Sequence, residues 1–308
     1  MQRIGMIYLW LGESCNARCR KCWAQHPPRK HVWAGDMPTD KAIELLRRYR
    51  PVGVNLTSYG EPFVHAGIGE IIVECERLGI EVHACSNGAL IRQSGQVDSI
   101  ARTPGFLTVS CDSADAELHD WMQPGAAFDA VDEAVRAITT HPSRHPGRQV
   151  YLNLVASKMN VHDLNKTMEW AQDVGFGLVN VIRAYGMDKT PAAGQELLHD
   201  DPRVIAAIAF GRGLGLTVAD NFSHVDALHA PPAPGCDLVM IWVNPDGSTH
   251  ACCFSSGQQL GNVFQEDVWN GAKVRRLSEQ LAARCVDAKE FPACAACPRV
   301  QPVKTTKE

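Results

Sequence analysis

Ser14-Cys15-Asn16-Ala17-Arg18-Cys19-Arg20-Lys21-Cys22-Trp23 is the stretch on which the reading of this chain turns. It follows an apolar run, Ile4 to Leu11, that reads as a buried strand. Three thiols fall within eight residues at C-x3-C-x2-C spacing, with no fourth cysteine or histidine close by. A structural zinc site takes four protein ligands, often as two C-x2-C pairs. Three thiolates on one loop suit instead an iron–sulfur cubane with one iron left for an outside ligand. A zinc knuckle or a chance cluster of cysteines is the alternative.

Working outward, strands and helices alternate. Ala42, Leu45, Leu46 and Tyr49 mark a helix with Thr39 as its N-cap and Pro51 beyond its end. Strands are predicted over Val52–Thr57, Glu81–Ser86, Phe106–Cys111, Val150–Ala156 and Leu178–Arg183, with a shorter one over Leu216–Ala219. Between them, helical stripes run through Ile68–Leu78, Phe128–Ile138 and Leu164–Val174, and another passes through Val204, Ile205 and Ile208. Such alternation predicts a parallel sheet. About six units are too few for the closed eight-unit barrel, so an open, partial barrel is expected.

Beyond the His- and Pro-rich Phe222–Gly235 the pattern changes. Ile241-Trp242-Val243, Asn244-Pro245-Asp246-Gly247 and Thr249-His250-Ala251 read as a β-hairpin with an Asp-Gly turn, and Val268–Leu281 as a helix. The expected division is a barrel over 1–221 and a small C-terminal domain over 222–308.

Composition narrows the class. The chain has 308 residues, 45% hydrophobic and 21% charged, which is enough to bury a full core. No run is long enough to span a membrane. The N-terminus lacks a secretion signal, so a cytoplasmic protein is expected. A net charge of -4 with no basic stripe argues against a nucleic-acid partner. Twelve cysteines in such a compartment point to metal or redox chemistry rather than disulfides. They gather at the two ends of the chain, with only Cys75, Cys85 and Cys111 between, and these three read as core filler.

The cysteine spacing after a first strand, with an aromatic residue beside the last thiol, resembles the radical S-adenosylmethionine (SAM) superfamily. Tyr59-Gly60-Glu61-Pro62 resembles that superfamily's G-G-E-P motif, with Tyr59 in place of the first glycine. The resemblance implies that Cys15, Cys19 and Cys22 hold a [4Fe–4S] cluster, and that Gly60 and Glu61 hold the SAM amino group. Ser86-Asn87-Gly88 resembles the T-N-G segment near the SAM ribose and carboxylate. Ser110-Cys111-Asp112 resembles S-x-D, so Ser86, Asn87, Ser110 and Asp112 are cofactor candidates. Each of these segments read alone is also an ordinary turn. Asn153 and Arg183 on the fifth and sixth strands are within reach of SAM or substrate, and a structural salt bridge is the other reading of Arg183.

Cys236, Cys252 and the C-x2-C pair Cys294 and Cys297 supply four thiolates for a closed cluster, with a zinc ribbon as the alternative. Pro-Asp-Gly-x4-Cys followed by Gly261-Asn262-Val263 resembles the SPASM and shortened "twitch" extensions, which implies one auxiliary [4Fe–4S] cluster. Cys253 is then left over beside a ligand. Adjacent strand side chains point opposite ways, so one of Cys252 and Cys253 faces the cluster and the other the cavity. Cys285 is also spare, at the end of a helix.

The chain is similar to the aminoglycoside-tailoring branch of the superfamily. That resemblance implies an epimerase of an aminoglycoside, with Cys253 returning hydrogen to the carbon from which the 5′-deoxyadenosyl radical removed it. It also implies an external one-electron reductant such as flavodoxin or ferredoxin. A dehydrogenase of an aminocyclitol or aminosugar is the nearest rival. A peptide-modifying maturase is another, though such enzymes often carry a peptide-binding wing ahead of the barrel and little chain precedes this first strand. A non-enzymatic metal scaffold is the last.

Overall fold

The structure is a computed structural model and describes residues 3–22, 35–56, 60–183, 190–198, 200–221, 238, 240–252 and 258–297, with Arg183 and Asn221 as backbone only. Seven strands follow one another in order across one sheet: β1 (Met6–Leu9), β2 (Gly53–Asn55), β3 (Glu81–Ser86), β4 (Gly105–Ser110), β5 (Arg148–Ala156), β6 (Leu178–Arg183) and β7 (Val218–Asn221). Every adjacent pair among them is parallel. The partial β/α barrel read from the sequence is the fold.

The helices between these strands are α1 (Thr39–Tyr49), α2 (Ile68–Leu78), α3 (Val97–Arg102), α4 (Ala116–Met122), α5 (Phe128–Thr139), α6 (Leu164–Val174) and α7 (Pro202–Gly213). α1 touches α2, α2 touches α3, α3 touches α5, α5 touches α6 and α6 touches α7, so these helices cover one face of the sheet in order. Strand alternation explains the layering. In β5 Val150, Leu152 and Leu154 are buried toward the helices, whereas Tyr151, Asn153 and Val155 on the other face are only half-buried. That second face lines the lumen.

Helix ends show why sequence boundaries were nearly right. Gly79 and Gly175 close α2 and α6 in the left-handed conformation that favours glycine. The reading of Thr39 as N-cap is corrected: Pro38 holds the extended cap position and Thr39 is the first helical residue. α3 and α4 went unread, because seven residues or fewer give too little periodicity to register.

The C-terminal hairpin holds a larger surprise. Its strands β8 (Met240–Val243) and β9 (Ser248–His250) join the barrel sheet, β8 pairing parallel with β1 in the register Tyr8↔Trp242 and Leu9↔Val243. β9 and then β10 (Gln259–Asn262) follow antiparallel, giving a ten-stranded sheet with β10 and β7 at its edges. The last long helix, α8, spans Ala272–Ala282, four residues later in its start than expected, because Val268–Gly271 form a turn. No described helix is long and apolar enough to cross a membrane.

Candidate active site

The cysteine loop leaves β1 at the rim where the strands end. Its backbone is fixed from outside by the segment that closes α4: Arg18 N–H donates to the Pro124 carbonyl at 2.7 Å and Arg20 N–H to the Met122 carbonyl at 2.9 Å. Asn16 donates to the Gly125 carbonyl at 2.6 Å. Cys15, Cys19 and Cys22 are each half-buried, and each of Cys15 and Cys19 lies within electrostatic reach of the other two thiols. Burial pushes the Cys15 thiol up, and the Cys19 thiol up to about 12. Cys15 and Cys19 therefore keep their protons until a metal displaces them.

Among the described residues no three Cys, His, Asp or Glu side chains converge on one ion position. Three thiolates from one loop, with no fourth protein ligand beside them among the described residues, are the donor set of a [4Fe–4S] cluster with one iron open. A second sign of fit is the Gln123 side chain, 2% exposed at the loop's inner side, whose Nε2 lacks a hydrogen-bond partner among the described residues.

The turn after β2 packs directly against this loop. Glu61 N–H donates to the Ser14 carbonyl at 2.8 Å. A Cβ on Gly60 would overlap that same oxygen and press to 2.8 Å on the Glu13 carbonyl carbon, so only glycine lets the two backbones approach. Glu61 itself is turned inward and 5% exposed. It accepts from the Ser86 hydroxyl at 2.8 Å, from Asn87 N–H at 2.7 Å and from Phe63 N–H at 3.1 Å. Burial pushes its carboxyl up to about 7, against the lowering effect of those three donors. A carboxylate has about four acceptor positions. Three are taken, which leaves one for an amino group.

Asn87 completes the connection, donating from Nδ2 to Asn16 Oδ1 at 2.8 Å. Gly60, Glu61, Ser86 and Asn87 are thus brought together with the cysteine loop. Ser110 and Asn153 sit lower in the lumen, side by side in register across β4 and β5, with Asn180 of β6 next in the row. Asn180 donates to Asn153 at 3.0 Å. Asp112 is fully buried and its carboxylate is taken up by Lys21 of the cysteine loop and by Val155 N–H at 3.0 Å. Arg183 ends β6 beside Ala156, and its side chain lies outside the described residues.

Three residues change their standing. Cys75 and Cys111 are fully buried core residues, as read. Cys85 is not filler: it is half-buried on the lumen face, its sulfur 3.7 Å from the Ser110 hydroxyl and 4.0 Å from Asn153 Nδ2. Alternation along β3 carried that signal, since Val82 and Ala84 take the helix side and leave Cys85 the other. Tyr8 and Trp242 were also missed as site residues. Their rings stack at 4.4 Å with planes 5° apart, with Trp10 edge-on to Trp242 at 6.3 Å.

At the C-terminal end Cys252 follows β9, while Cys294 is buried and Cys297 half-buried; the Cys294 thiol is pushed up by burial, with Cys252 and Cys297 adding to the effect. These three therefore lie together. Cys236 and Cys253 lie outside the described residues, and all ten described cysteines are free thiols. Cys285 is exposed.

Comparison with known proteins agrees with this geometry. Residues 11–176 match the radical SAM superfamily and residues 236–298 match SPASM, an iron–sulfur cluster-binding domain. The mycofactocin maturase MftC of Mycolicibacterium smegmatis is 25% identical over 302 residues, covering 91% of this chain and 74% of the relative. The AdoMet-dependent heme synthase of Methanosarcina barkeri is 28% identical over 202 residues, 61% of this chain and 55% of its own length. Among solved structures, SuiB of Streptococcus suis bound to S-adenosylmethionine superposes with a TM-score of 0.63 at 16% identity, over 96% of this chain and 71% of that one. anSMEcpe with bound AdoMet and a peptide gives 0.62 at 14%, over 98% and 92%. SAM and [4Fe–4S] clusters are accordingly the cofactors, and an external reductant supplies the electron. The matched region takes in the cysteine loop, the Glu61 turn and strands β2 to β5, and the chain belongs to the radical SAM superfamily.

Proposed function

We propose that this chain is a radical SAM epimerase that inverts a carbon stereocentre of an aminoglycoside. The observation that supports it most is where the two cysteine sets leave the sheet. β8 runs parallel to β1, so its turn emerges at the rim that carries Cys15. β9 runs back, with His250 opposite Trp242, so Cys252 departs toward the other end of the same strands. Two sulfur sets at opposite ends of one lumen suit chemistry on opposite faces of a substrate.

SAM bound at the front cluster supplies the radical that removes a substrate hydrogen. The protein's part is positional. Glu61 accepts from the SAM amino group, while Asn16 and Asn87 fix the loop that bears the ligands. The Tyr8–Trp242 stack offers an aromatic face for a sugar ring, and Ser110, Asn153 and Asn180 offer hydrogen bonds to its hydroxyls. Cys253, next in sequence to Cys252, is the thiol proposed to give its hydrogen to the opposite face of the carbon. The sulfur radical is then returned to thiol by one electron from the external reductant and one proton from solvent.

Mass spectrometry of products from reconstituted enzyme and a panel of aminoglycosides in deuterium oxide tests this reading. One deuterium at an inverted carbon, with the abstracted hydrogen in 5′-deoxyadenosine, is expected. A ketone without solvent deuterium overturns it in favour of a dehydrogenase. The mycofactocin maturase relative favours a second reading, a peptide-modifying maturase. SAM cleavage stimulated by a peptide and by no aminoglycoside would establish that instead.

A further inference from the structure

We propose that Gln123 is the hydrogen-bond donor to the front cluster's sulfur and sets that cluster's reduction potential. The proposal rests on membership of the superfamily and not on the identity of the substrate.

Gln123 caps α4 at its C-terminal end, and its neighbours Met122 and Pro124 are the two residues whose carbonyls anchor Arg20 and Arg18 of the cysteine loop. Cys19 lies between those two anchors in sequence, so the Gln123 side chain is held against it. The amide oxygen accepts from the Cys19 thiol at 3.7 Å. The amide nitrogen is buried with no partner among the described residues. An unmade buried N–H bond is costly, so a residue kept this way is waiting for an acceptor.

Ligation supplies one. A ligand thiolate has no proton left to donate to the amide oxygen. The amide then presents N–H to that sulfur with its oxygen and nitrogen exchanged, an exchange that leaves its shape unchanged. The exchanged orientation puts Nε2 where Oε1 stands, 3.7 Å from the Cys19 sulfur, and makes an N–H···S bond. The chain uses the same chemistry at its other cysteine set, where Gln258, 6% exposed, donates from Nε2 to the Cys294 sulfur at 3.5 Å and accepts from Ala293 N–H at 3.0 Å.

Hydrogen bonds to cluster sulfur favour the reduced, more negative state and raise the potential. Gln123→Leu removes the donor at similar size; Gln123→Glu keeps the shape and replaces the donor by an acceptor. Each variant, reconstituted anaerobically with iron and sulfide, is titrated by EPR, following the signal that changes when SAM is added. The potential is expected to fall in both, by about a tenfold change in the one-electron equilibrium, or about 59 mV. Iron content should stay at the wild-type level. Should the leucine variant lose iron, the glutamate variant decides. Unchanged potentials with full iron overturn the proposal, and loss of iron from both variants overturns it in favour of a purely structural part for Gln123.

Discussion

The Glu61 carboxylate accepts from the Asn87 backbone N–H at 2.7 Å, and this bond joins the turn after β2 to the turn after β3. Asn87 in turn holds Asn16 of the cysteine loop. Three segments that are remote in sequence meet through one buried acid.

Two outcomes follow for Glu61. Its carboxyl is pushed by burial from 4.5 up to about 7. Between those values the folded chain holds a proton that the unfolded chain has released, so stability falls as pH rises through the window and is level above it. SAM affinity moves the other way, because the SAM ammonium needs the ionised carboxylate. It should tighten about tenfold between about pH 6 and pH 8, measured by equilibrium binding. Glu61→Ala should weaken binding by about ten- to a hundredfold and abolish that pH dependence, since a hydrogen bond to a charged group contributes about 1.5–3 kcal/mol. An unchanged dissociation constant would reduce Glu61 to a fastener of turns.

Gly60→Ala tests the backbone contact beneath that turn. The added Cβ meets the Ser14 carbonyl, which is backbone and cannot swing aside. The cysteine loop must shift, at a cost of about 1–3 kcal/mol. Reconstituted protein should lose about half its iron, from the front set alone, and bind SAM poorly. Full iron content with wild-type melting would show that the loop yields freely.

Asp112→Asn isolates the charge of the Lys21–Asp112 pair, because Asn Oδ1 can still accept from Val155 N–H. The Asp112 side chain is fully buried and that of Lys21 is 16% exposed. Breaking a buried pair by removing one partner costs about 3–5 kcal/mol. Lys21 reaches some solvent, so about 3 kcal/mol is expected, read as a lower denaturation midpoint. Lys21→Met in the same background should restore part of the loss. No change in either variant would mean that the pair contributes nothing to the loop's anchoring.

The barrel was legible in the sequence because its strands are apolar runs spaced by helical stripes; β3 and β6 begin and end where the pattern places them. Position along the chain could not show that β8 pairs with β1, since that contact joins segments more than two hundred residues apart and depends on the completed sheet. Trp242 therefore read as a hairpin residue and not as a wall of the lumen. Gln123 escaped for a related reason. A lone glutamine carries no spacing signal, and its meaning comes from the buried sulfur it faces.

Cys85 and Cys253 are rival sources of returned hydrogen, and replacing them separately tells which acts. Cys85 faces the lumen within reach of Ser110 and Asn153, and burial pushes its thiol up, so it keeps an S–H that exchanges with solvent. Cys253 has the argument of sequence, next to Cys252 and left over from the auxiliary cysteine set. Cys85→Ser keeps a small polar side chain in this place but offers an O–H, which is too strong to give up a hydrogen atom to a carbon radical. If Cys253 is the donor, Cys85→Ser should still invert the substrate and incorporate one solvent deuterium. Cys253→Ala should cleave SAM and abstract hydrogen while yielding little inverted product. The opposite result, with deuterium lost in Cys85→Ser and kept in Cys253→Ala, moves the donor to β3 and leaves the epimerase reading intact. Deuterium retained in both single variants and in the double variant would show that neither thiol returns the hydrogen.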